Sequence, residues 1–252
     1  MRIAIIGIGR LGSVFARVLS KNHELILFDR NFSDAQSLAS DICAKAVKEI
    51  TLIENPEITI LTVKPSQIEE VVKKVPSEQL IVSCAAGVRL KKLEGWGARK
   101  VIRVMPNVCA EVGESVIAYT MHAETEKKEK VFLTAFSSLG LCIKTDEDHL
   151  DAIGGASSSG PALLSFLAGS MIAEAVRQGL DQKTAEKIVA QTLIGTGKLM
   201  KSGWSTNQIM QTVATPGGIT EQSLKMLEEK GVSKAISEAV RYATTKAREM
   251  GK

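Results

Sequence analysis

The chain has 252 residues, 44% of them hydrophobic and 24% charged, which excludes the low-hydrophobicity, high-charge composition of a disordered protein. Lys and Arg total 32 and Asp and Glu total 28, and the basic residues are scattered, so we expect no nucleic-acid partner. The four cysteines stand far apart, without the spacing of a zinc site or a disulfide framework, so we expect no metal.

The apolar run at the amino terminus, residues 3–8, is far too short to span a bilayer and contains a glycine. It also lacks the basic lead and the cleavage site of a signal peptide. We therefore expect a soluble, cytoplasmic protein with no membrane partner.

The first half of the chain alternates apolar runs with helical patterns. Strands are predicted at residues 2–6, 24–28, 58–63, 79–84, 101–104, 115–119 and 141–145. Helices are predicted at residues 11–20, 33–43, 66–74, 88–93 and 124–138. Continuous rather than alternating apolarity indicates strands buried on both faces. Strands that recur with helices between them predict a parallel sheet with right-handed crossovers.

From about residue 150 onward the sequence predicts helices and no strand. The predicted helix at 161–179 carries almost no charge before Glu174, and it follows a Ser- and Gly-rich run that suits a helix start. A helix this apolar requires a partner surface larger than its own small domain supplies. We therefore predict that it forms a subunit interface.

A glycine motif lies where the first strand meets the first helix. Gly7, Gly9 and Gly12 form G-x-G-x-x-G, and Asp29 follows at the end of the second strand. This context is typical of dinucleotide binding: the glycines allow a tight turn, close approach of the pyrophosphate and packing of the helix on the strand. The helix N-terminus would present N–H groups to the phosphates. The predicted cofactor turn comprises Gly7, Ile8, Gly9, Arg10, Leu11 and Gly12.

Two neighbouring residues favour different cofactors. The carboxylate of Asp29 would accept hydrogen bonds from the adenosine ribose and repel a 2′-phosphate, which favours NAD. The guanidinium of Arg30 would pair with that phosphate, which favours NADP. The sequence therefore predicts NADP or NAD and leaves the choice open.

Five further segments carry recognisable motifs, in chain order Thr62–Pro65, Ser83–Val88, Arg103–Asn107, Ser157–Ala162 and Val213–Thr220. Together with the terminal stretch 231–251, these segments resemble pyrroline-5-carboxylate reductases. The resemblance covers nearly the whole chain and is most specific in the Pro-Gly-Gly loop and in the Ser-Gly-Pro-Ala segment.

The resemblance implies an α/β fold: a Rossmann-type parallel-sheet domain over residues 1–150, followed by an all-α dimerisation and substrate-binding domain over 151–252. It also implies a homodimer, with rings of dimers in several members. The implied activity is NAD(P)H-dependent reduction of 1-pyrroline-5-carboxylate, the last step of proline biosynthesis. A protonated cyclic imine is already electrophilic, so positioning should matter more than a strong general acid.

The loop before residue 221 is the expected substrate site. Its consecutive N–H groups at the start of a helix would form an anion-binding nest, and by resemblance this nest grips the substrate carboxylate. The hydroxyl of Thr220 would hydrogen-bond the imine nitrogen, which makes Thr220 the first catalytic candidate. The predicted substrate residues are Thr215, Gly217, Gly218, Ile219 and Thr220.

The remaining cofactor residues are expected at the carboxyl end of the sheet, where ligands bind in open α/β folds. By resemblance the turn at 62–65 lines the nicotinamide and its ribose, and Lys64 is the second catalytic candidate. Asn107 would orient either the cofactor or the loop backbone. These residues are Thr62, Val63, Lys64, Pro65, Ala85, Ala86 and Asn107.

Three residues depart from the family pattern: Leu163 replaces an aromatic residue, Ile219 a small or hydroxyl one, and Glu49 an Asn near the ribose.

Three other functions also stay open. One is a β-hydroxyacid-dehydrogenase-like reductase of keto acids that would use the region of Gly195, Gly197, Lys198 and Lys201. Another is a nucleotide-sensing protein without turnover. The third is a reductase of another cyclic imine, since one methylene group separates two substrates by only about 1 to 3 kcal/mol in transition-state binding.

Overall fold

A single sheet organises the first part of the computed structural model, which describes residues 1–249. The strands are β1 (Arg2–Ile6), β2 (Glu24–Phe28), β3 (Lys45–Ala46), β4 (Ile58–Leu61), β5 (Leu80–Ser83), β6 (Lys100–Met105), β7 (Ser115–Met121) and β8 (Gly140–Lys144). In the described chain their order in the sheet is β3-β2-β1-β4-β5-β6-β7-β8.

Six of the seven pairings between the described strands are parallel, as predicted, but β7 runs antiparallel to β6. Residues 106–114 join these two strands and hold only a short 3-10 turn, Val108–Val112. A parallel connection needs a crossover of about a dozen residues or more, so this link is too short for one. The predicted parallel sheet is confirmed apart from this antiparallel pairing, and the two-residue β3 was missed.

Six helices accompany the sheet within the described chain. Two predicted helices, 66–74 and 124–138, each begin as a 3-10 turn, at Pro65–Gln67 and Ala123–Lys128. The helices are α1 (Arg10–Leu19), α2 (Phe32–Asp41), α3 (Ile68–Val72), α4 (Leu90–Gly95), α5 (Glu129–Phe136) and α6 (Glu147–Ser157).

The central strands β4 and β5 consist entirely of buried residues, so both faces of the sheet are covered there. One hydrophobic cluster includes Phe15, Phe132 and Phe136, and the other includes Ile68 and Leu93. The rings of Phe15 and Phe136 meet edge to face with their centroids 5.7 Å apart. The predicted burial of these strands on both faces is thereby confirmed.

The later part of the chain is helical, and no strand occurs between residue 150 and residue 249, as predicted. The helices are α7 (Gly160–Arg177), α8 (Gln182–Lys201), α9 (Thr206–Val213), α10 (Ile219–Glu229) and α11 (Val232–Glu249). Asp181 caps α8 by accepting a hydrogen bond from the N–H of Thr184, and Ser205 with Gln208 forms a capping box at α9. The stretch predicted to reach Gly251 is helical to Glu249, and Gly251 lies outside the described residues.

Contacts divide the chain into two units, Met1–Pro161 with the end of the chain from Val240, and Ala162–Ala239. The boundary predicted after residue 150 falls inside α6, which packs on β6 and β7. Close packing explains why α6 groups with the sheet. A Cβ added at Gly154 would lie 3.0 Å from the Met105 side chain, and one at Gly155 would lie 2.1 Å from Thr244 Oγ1.

The apolar helix α7 has few contacts within its own chain. Ala168 is the one residue of α7 that the chain buries, whereas the Phe166 side chain is 74% exposed. By length and composition alone, the stretch Glu147–Arg177 would suffice to cross a membrane. That stretch is interrupted between α6 and α7, and α6 contacts the sheet. The exposed face of α7 therefore agrees with the predicted subunit interface.

Candidate active site

The turn after β1 requires glycine at two positions. Gly7 has φ +100° and donates its N–H to the carbonyl oxygen of Phe28 at 2.8 Å. A Cβ at Gly7 would lie 2.7 Å from Val63 Cγ1, and a Cβ at Gly12 would lie 1.9 Å from the Gly7 carbonyl oxygen. Any side chain at either position would collide with the turn or its neighbouring strand end.

Gly9 differs from these two glycines because no atom lies within 4 Å of a Cβ built on it. It is the N-cap of α1, and no side chain caps the helix there. The N-terminus of α1 therefore presents its N–H groups beside open space, which suits the pyrophosphate of a dinucleotide. The geometry of the turn thus fits a dinucleotide cofactor.

Asp29 links the turn to the start of α2. Its Oδ2 accepts a hydrogen bond from the N–H of Ile8 at 2.6 Å, and its Oδ1 accepts one from the N–H of Asn31 at 2.9 Å. Each carboxylate oxygen keeps further acceptor capacity, so contact with a ribose stays open to Asp29. Sequence reasoning had assigned Asp29 to the ribose and had not foreseen its role in fixing the turn.

A cleft of about 340 Å³ opens beside this turn and is lined by residues that include Asp29, Arg30 and Val63. Glu70 and Lys74, on or just beyond α3, line it as well. The Nη2 of Arg30 lies 2.6 Å from Glu70 Oε2, and the Nζ of Lys74 lies 2.8 Å from Glu70 Oε1. The hydrogen bond from Lys74, with the charges of Lys74 and Arg30, lowers the pKa of the Glu70 carboxyl.

The segment after β4 supports the turn from behind. The Thr62 hydroxyl donates a hydrogen bond to the Gly7 carbonyl oxygen at 2.6 Å, so Thr62 positions the turn. Lys64 is exposed, and within the described chain its ammonium makes no ion pair. Its backbone N–H lies 3.4 Å from Gln67 Oε1, at the start of the 3-10 turn that Pro65 begins. The ammonium of Lys64 is therefore available to a ligand.

The segment after β5 combines small residues with a turn. Ala85 is buried, Ala86 is half-buried, and Gly87 has a left-handed φ of +74°. Because these side chains are short, the backbone at the carboxyl end of β5 can be approached closely.

Asn107 orients the backbone of two segments, which is one of the two roles predicted for it. Its Nδ2 donates to the Ser157 carbonyl oxygen at 2.9 Å, and its Oδ1 accepts from the Cys109 N–H at 3.0 Å. The Ser158 hydroxyl adds a hydrogen bond to the Pro106 carbonyl oxygen at 3.0 Å. These bonds tie the end of α6 to the loop after β6, so Asn107 is a positioning residue, and its contact with the cofactor remains a prediction.

Arg103, in the same segment, is fully buried and was given no role by the sequence. Its Nη2 lies 2.8 Å from Asp151 Oδ1 and its Nη1 lies 3.2 Å from Glu147 Oε1. Glu147 also accepts the N–H of Leu90 at 2.7 Å. The network joins β6, α6 and the start of α4. A lone Arg in an apolar strand, followed by two acids on one helix face, was the signal for it.

The Pro-Gly-Gly loop lies in the helical unit. Gly217 has φ +72°, and the Gly218 N–H donates to the Thr215 carbonyl oxygen at 2.8 Å, so a tight turn precedes α10. The Gly217 N–H donates to Glu221 Oε2 at 2.7 Å. Of the four backbone N–H groups of residues 217–220, those of Gly217 and Gly218 thus have partners in the loop or in the first turn of α10, and one of these partners is a carboxylate. The N–H groups of the next two residues lie in the first turn of α10.

The side chains of this loop are accessible. Ile219 is 89% exposed, and Thr220 is half-buried, with no hydrogen-bond partner for its hydroxyl among the described residues. Lys198 and Lys201, considered for the keto-acid alternative, lie in the last turn of α8 and are exposed. Over residues 1–249, no group of three or more His, Cys, Asp or Glu side chains is placed to hold a metal ion.

Comparison with known proteins identifies the family. The model of the pyrroline-5-carboxylate reductase dimerisation domain matches residues 147–250, and that of coenzyme F420-dependent NADP oxidoreductases matches residues 2–87. The pyrroline-5-carboxylate reductase of Methanosarcina acetivorans is 32% identical over 266 residues, covering 100% of this chain and 98% of the relative. The chain belongs to the pyrroline-5-carboxylate reductase family.

Solved structures of pyrroline-5-carboxylate reductases have the same fold. The enzyme of Streptococcus pyogenes superposes with a TM-score of 0.90 at 27% identity, covering 99% of this chain and 98% of its own. The Plasmodium falciparum pyrroline carboxylate reductase, solved with NADP bound, gives a TM-score of 0.88 at 24% identity, covering 100% of this chain and 98% of its own, and shows the fold alone. The predicted family and fold class are confirmed, and the dimerisation domain supports a homodimer.

Proposed function

We propose that this chain reduces 1-pyrroline-5-carboxylate to proline with NADPH or NADH as the hydride donor. The observation that carries the proposal is the open N-terminus of α1 at Gly9, in a chain that belongs to this reductase family over its full length. The nicotinamide cofactor supplies the hydride when it is bound. The protein's own residues bind the two reactants and orient them.

The cofactor side is formed by residues of the sheet unit. The N–H groups at the start of α1 hold the pyrophosphate, and Thr62 and Asp29 keep the turn in the shape that exposes them. Lys64, at the carboxyl end of β4, faces the nicotinamide half. The small residues after β5 allow close approach of the cofactor to the sheet.

The substrate side is formed by the loop before α10. A carboxylate needs N–H donors, and the hydrogen bond from the Gly217 N–H to the carboxylate of Glu221 supports the loop's backbone as a site for such a group. The N–H groups of Ile219 and Thr220 complete the grip. Ile219 keeps its backbone donor although it departs from the family pattern.

Proton transfer needs little help from the protein, because the protonated imine is the electrophile and its nitrogen keeps its proton through the reaction. The Thr220 hydroxyl orients that nitrogen by accepting its hydrogen bond. Lys64, whose ammonium makes no ion pair within the described chain, would help to orient the nicotinamide half of the cofactor. Residues 1–150 thus serve the cofactor, and residues 151–252 serve the substrate and the dimer.

The assembly is a homodimer in which α7 lies at the interface. A ring of dimers and a cytoplasmic location remain predictions, as does the absence of nucleic-acid and membrane partners. In this homodimer the apolar face of α7 contacts the second subunit rather than a bilayer.

Steady-state rates with three substrates test the function. We expect the five-membered imine carboxylate to be reduced with the highest kcat/KM, the six-membered analogue more slowly, and a β-keto acid not at all. Each rate is measured with NADPH and with NADH. Faster reduction of the keto acid than of either imine would contradict the proposal, and so would cofactor binding without any turnover.

A further inference from the structure

Three charged side chains meet at one side of the cleft beside the glycine turn. Glu70 lies between Arg30 and Lys74, and each of its carboxylate oxygens contacts one of the two cations, at 2.6 Å and 2.8 Å. All three residues line the cleft, and all three are exposed to solvent. Asp29 lines the same cleft, so two carboxylates balance two cations there.

The cluster lies in the cleft that the proposed function assigns to the nucleotide, and the inference rests on that function. In dinucleotide-binding folds the residues at the end of the second strand read the 2′ position of the adenosine ribose. Arg30 lies two residues after the end of β2 and, as a guanidinium, matches the geometry of a phosphate. In this chain, however, Glu70 already occupies its Nη2.

We propose that Glu70 determines cofactor specificity by holding Arg30 and Lys74 as ion pairs, which weakens recognition of a 2′-phosphate and lets the chain accept NADH beside NADPH. A 2′-phosphate would have to share both cations with the Glu70 carboxylate and lie close to its negative charge. A 2′-hydroxyl meets neither cost. Removing the Glu70 charge leaves both cations free for the phosphate.

Glu70→Gln tests this assignment, since the amide keeps the size of the side chain and removes its charge. Binding is measured by calorimetry with adenosine 2′,5′-bisphosphate and with adenosine 5′-monophosphate, which differ only in the 2′-phosphate and need no imine. We expect the ratio of the two affinities to rise about five- to tenfold at low salt in favour of the bisphosphate. The gain should shrink at 0.5 M salt, because the cluster is exposed and screened.

Glu69→Gln is the matched control. Glu69 pairs with Lys73 at 2.6 Å in the same i,i+4 arrangement on the same helix, and it is not among the residues that line the cleft. Its loss should leave the affinity ratio unchanged. Adding Arg30→Leu to Glu70→Gln should return the ratio toward its original value.

An unchanged or lowered ratio in Glu70→Gln would overturn the inference, and a lowered one would mean that Glu70 orients Arg30 for the phosphate. An equal rise in Glu69→Gln would overturn it as well, because the effect would then be a general change in charge. Nucleotide binding without reduction of the imine would contradict the proposed function alone. Failure of the unmodified protein to bind either nucleotide would contradict both.

Discussion

The carboxylate of Glu221 accepts a hydrogen bond from the backbone N–H of Gly217 at 2.7 Å. An acidic side chain of the protein thus uses one of the donors expected to bind the substrate carboxylate. Glu221→Gln keeps an acceptor and removes a negative charge that repels the substrate. We expect KM for the imine carboxylate to fall about two- to fivefold at saturating cofactor, because one nearby charge is lost.

Glu228→Gln, near the far end of α10, is the control and should leave this KM unchanged. A rise in KM for Glu221→Gln would show instead that the Glu221 charge holds the loop in its binding shape.

Thr220 is expected to act on the substrate and not on the cofactor. Thr220→Ala should lower kcat at least about tenfold, since the hydroxyl that orients the imine nitrogen is lost, while the dissociation constant of the dinucleotide stays within about twofold. Thr220→Ser restores the hydroxyl and should recover most of the rate. If kcat in Thr220→Ala equals that of the unmodified enzyme, Thr220 has no part in the mechanism.

Gly9 and Gly12 should respond differently to the same substitution. Gly9→Val places its side chain in open space, so the protein should fold with a loss of no more than about 1 kcal/mol while dinucleotide binding disappears. Gly12→Val collides with the Gly7 carbonyl oxygen and should unfold the turn itself. Thermal unfolding and nucleotide titration of both variants measure the contrast. Nucleotide binding by Gly9→Val would place the pyrophosphate elsewhere.

Asp151 pairs with the fully buried Arg103, so its removal leaves that guanidinium with Glu147 as its one remaining ion-pair partner in the described network and with its Nη2 unpaired. Asp151→Ala should lower the free energy of unfolding by about 3 kcal/mol, the lower end of the cost of breaking a buried ion pair, measured in urea at fixed protein concentration. Asp148→Ala on the same helix breaks a pair with Arg89 that is exposed, so its cost should not exceed about 1 kcal/mol. Equal losses in the two variants would contradict this account of the network.

Phe166 projects from α7 with 74% of its surface exposed in the single chain. Phe166→Glu should convert the dimer to monomers, because a charge would have to be buried at the apolar interface. Light scattering coupled to gel filtration measures the mass. Leu141→Glu, at an exposed apolar position of β8 in the sheet unit, should keep the dimer intact. A dimeric Phe166→Glu protein would place the interface on another surface.

The sheet was largely predictable because its strands are continuous apolar runs. The bounds of β1 and β2 agree with the prediction, since each run ends at a polar residue or a glycine. The direction of β7 was missed because an apolar run such as 115–121 carries no sign of which way it pairs, and the signal lay instead in the short link of residues 106–114, which has no room for a parallel crossover. The two-residue β3 has no apolar run at all and forms only because β2 offers it an edge.

The candidate site was predictable where one local segment forms it. The glycine turn follows from its own spacing, whereas the Arg30, Glu70 and Lys74 cluster joins segments some forty residues apart. The hydrogen bond from Ile8 to Asp29 likewise depends on how β1 and β2 lie side by side. Such contacts are set by the fold and leave no local pattern in the sequence.

The bare apolar face of α7 has a thermodynamic consequence. Because a second copy covers this surface, the free energy of unfolding includes the free energy of dimerisation. By mass action, the thermal stability of the protein therefore depends on its concentration. Dilution alone should lower its melting temperature. How much of this protein a cell makes therefore helps to decide how much of it survives intact.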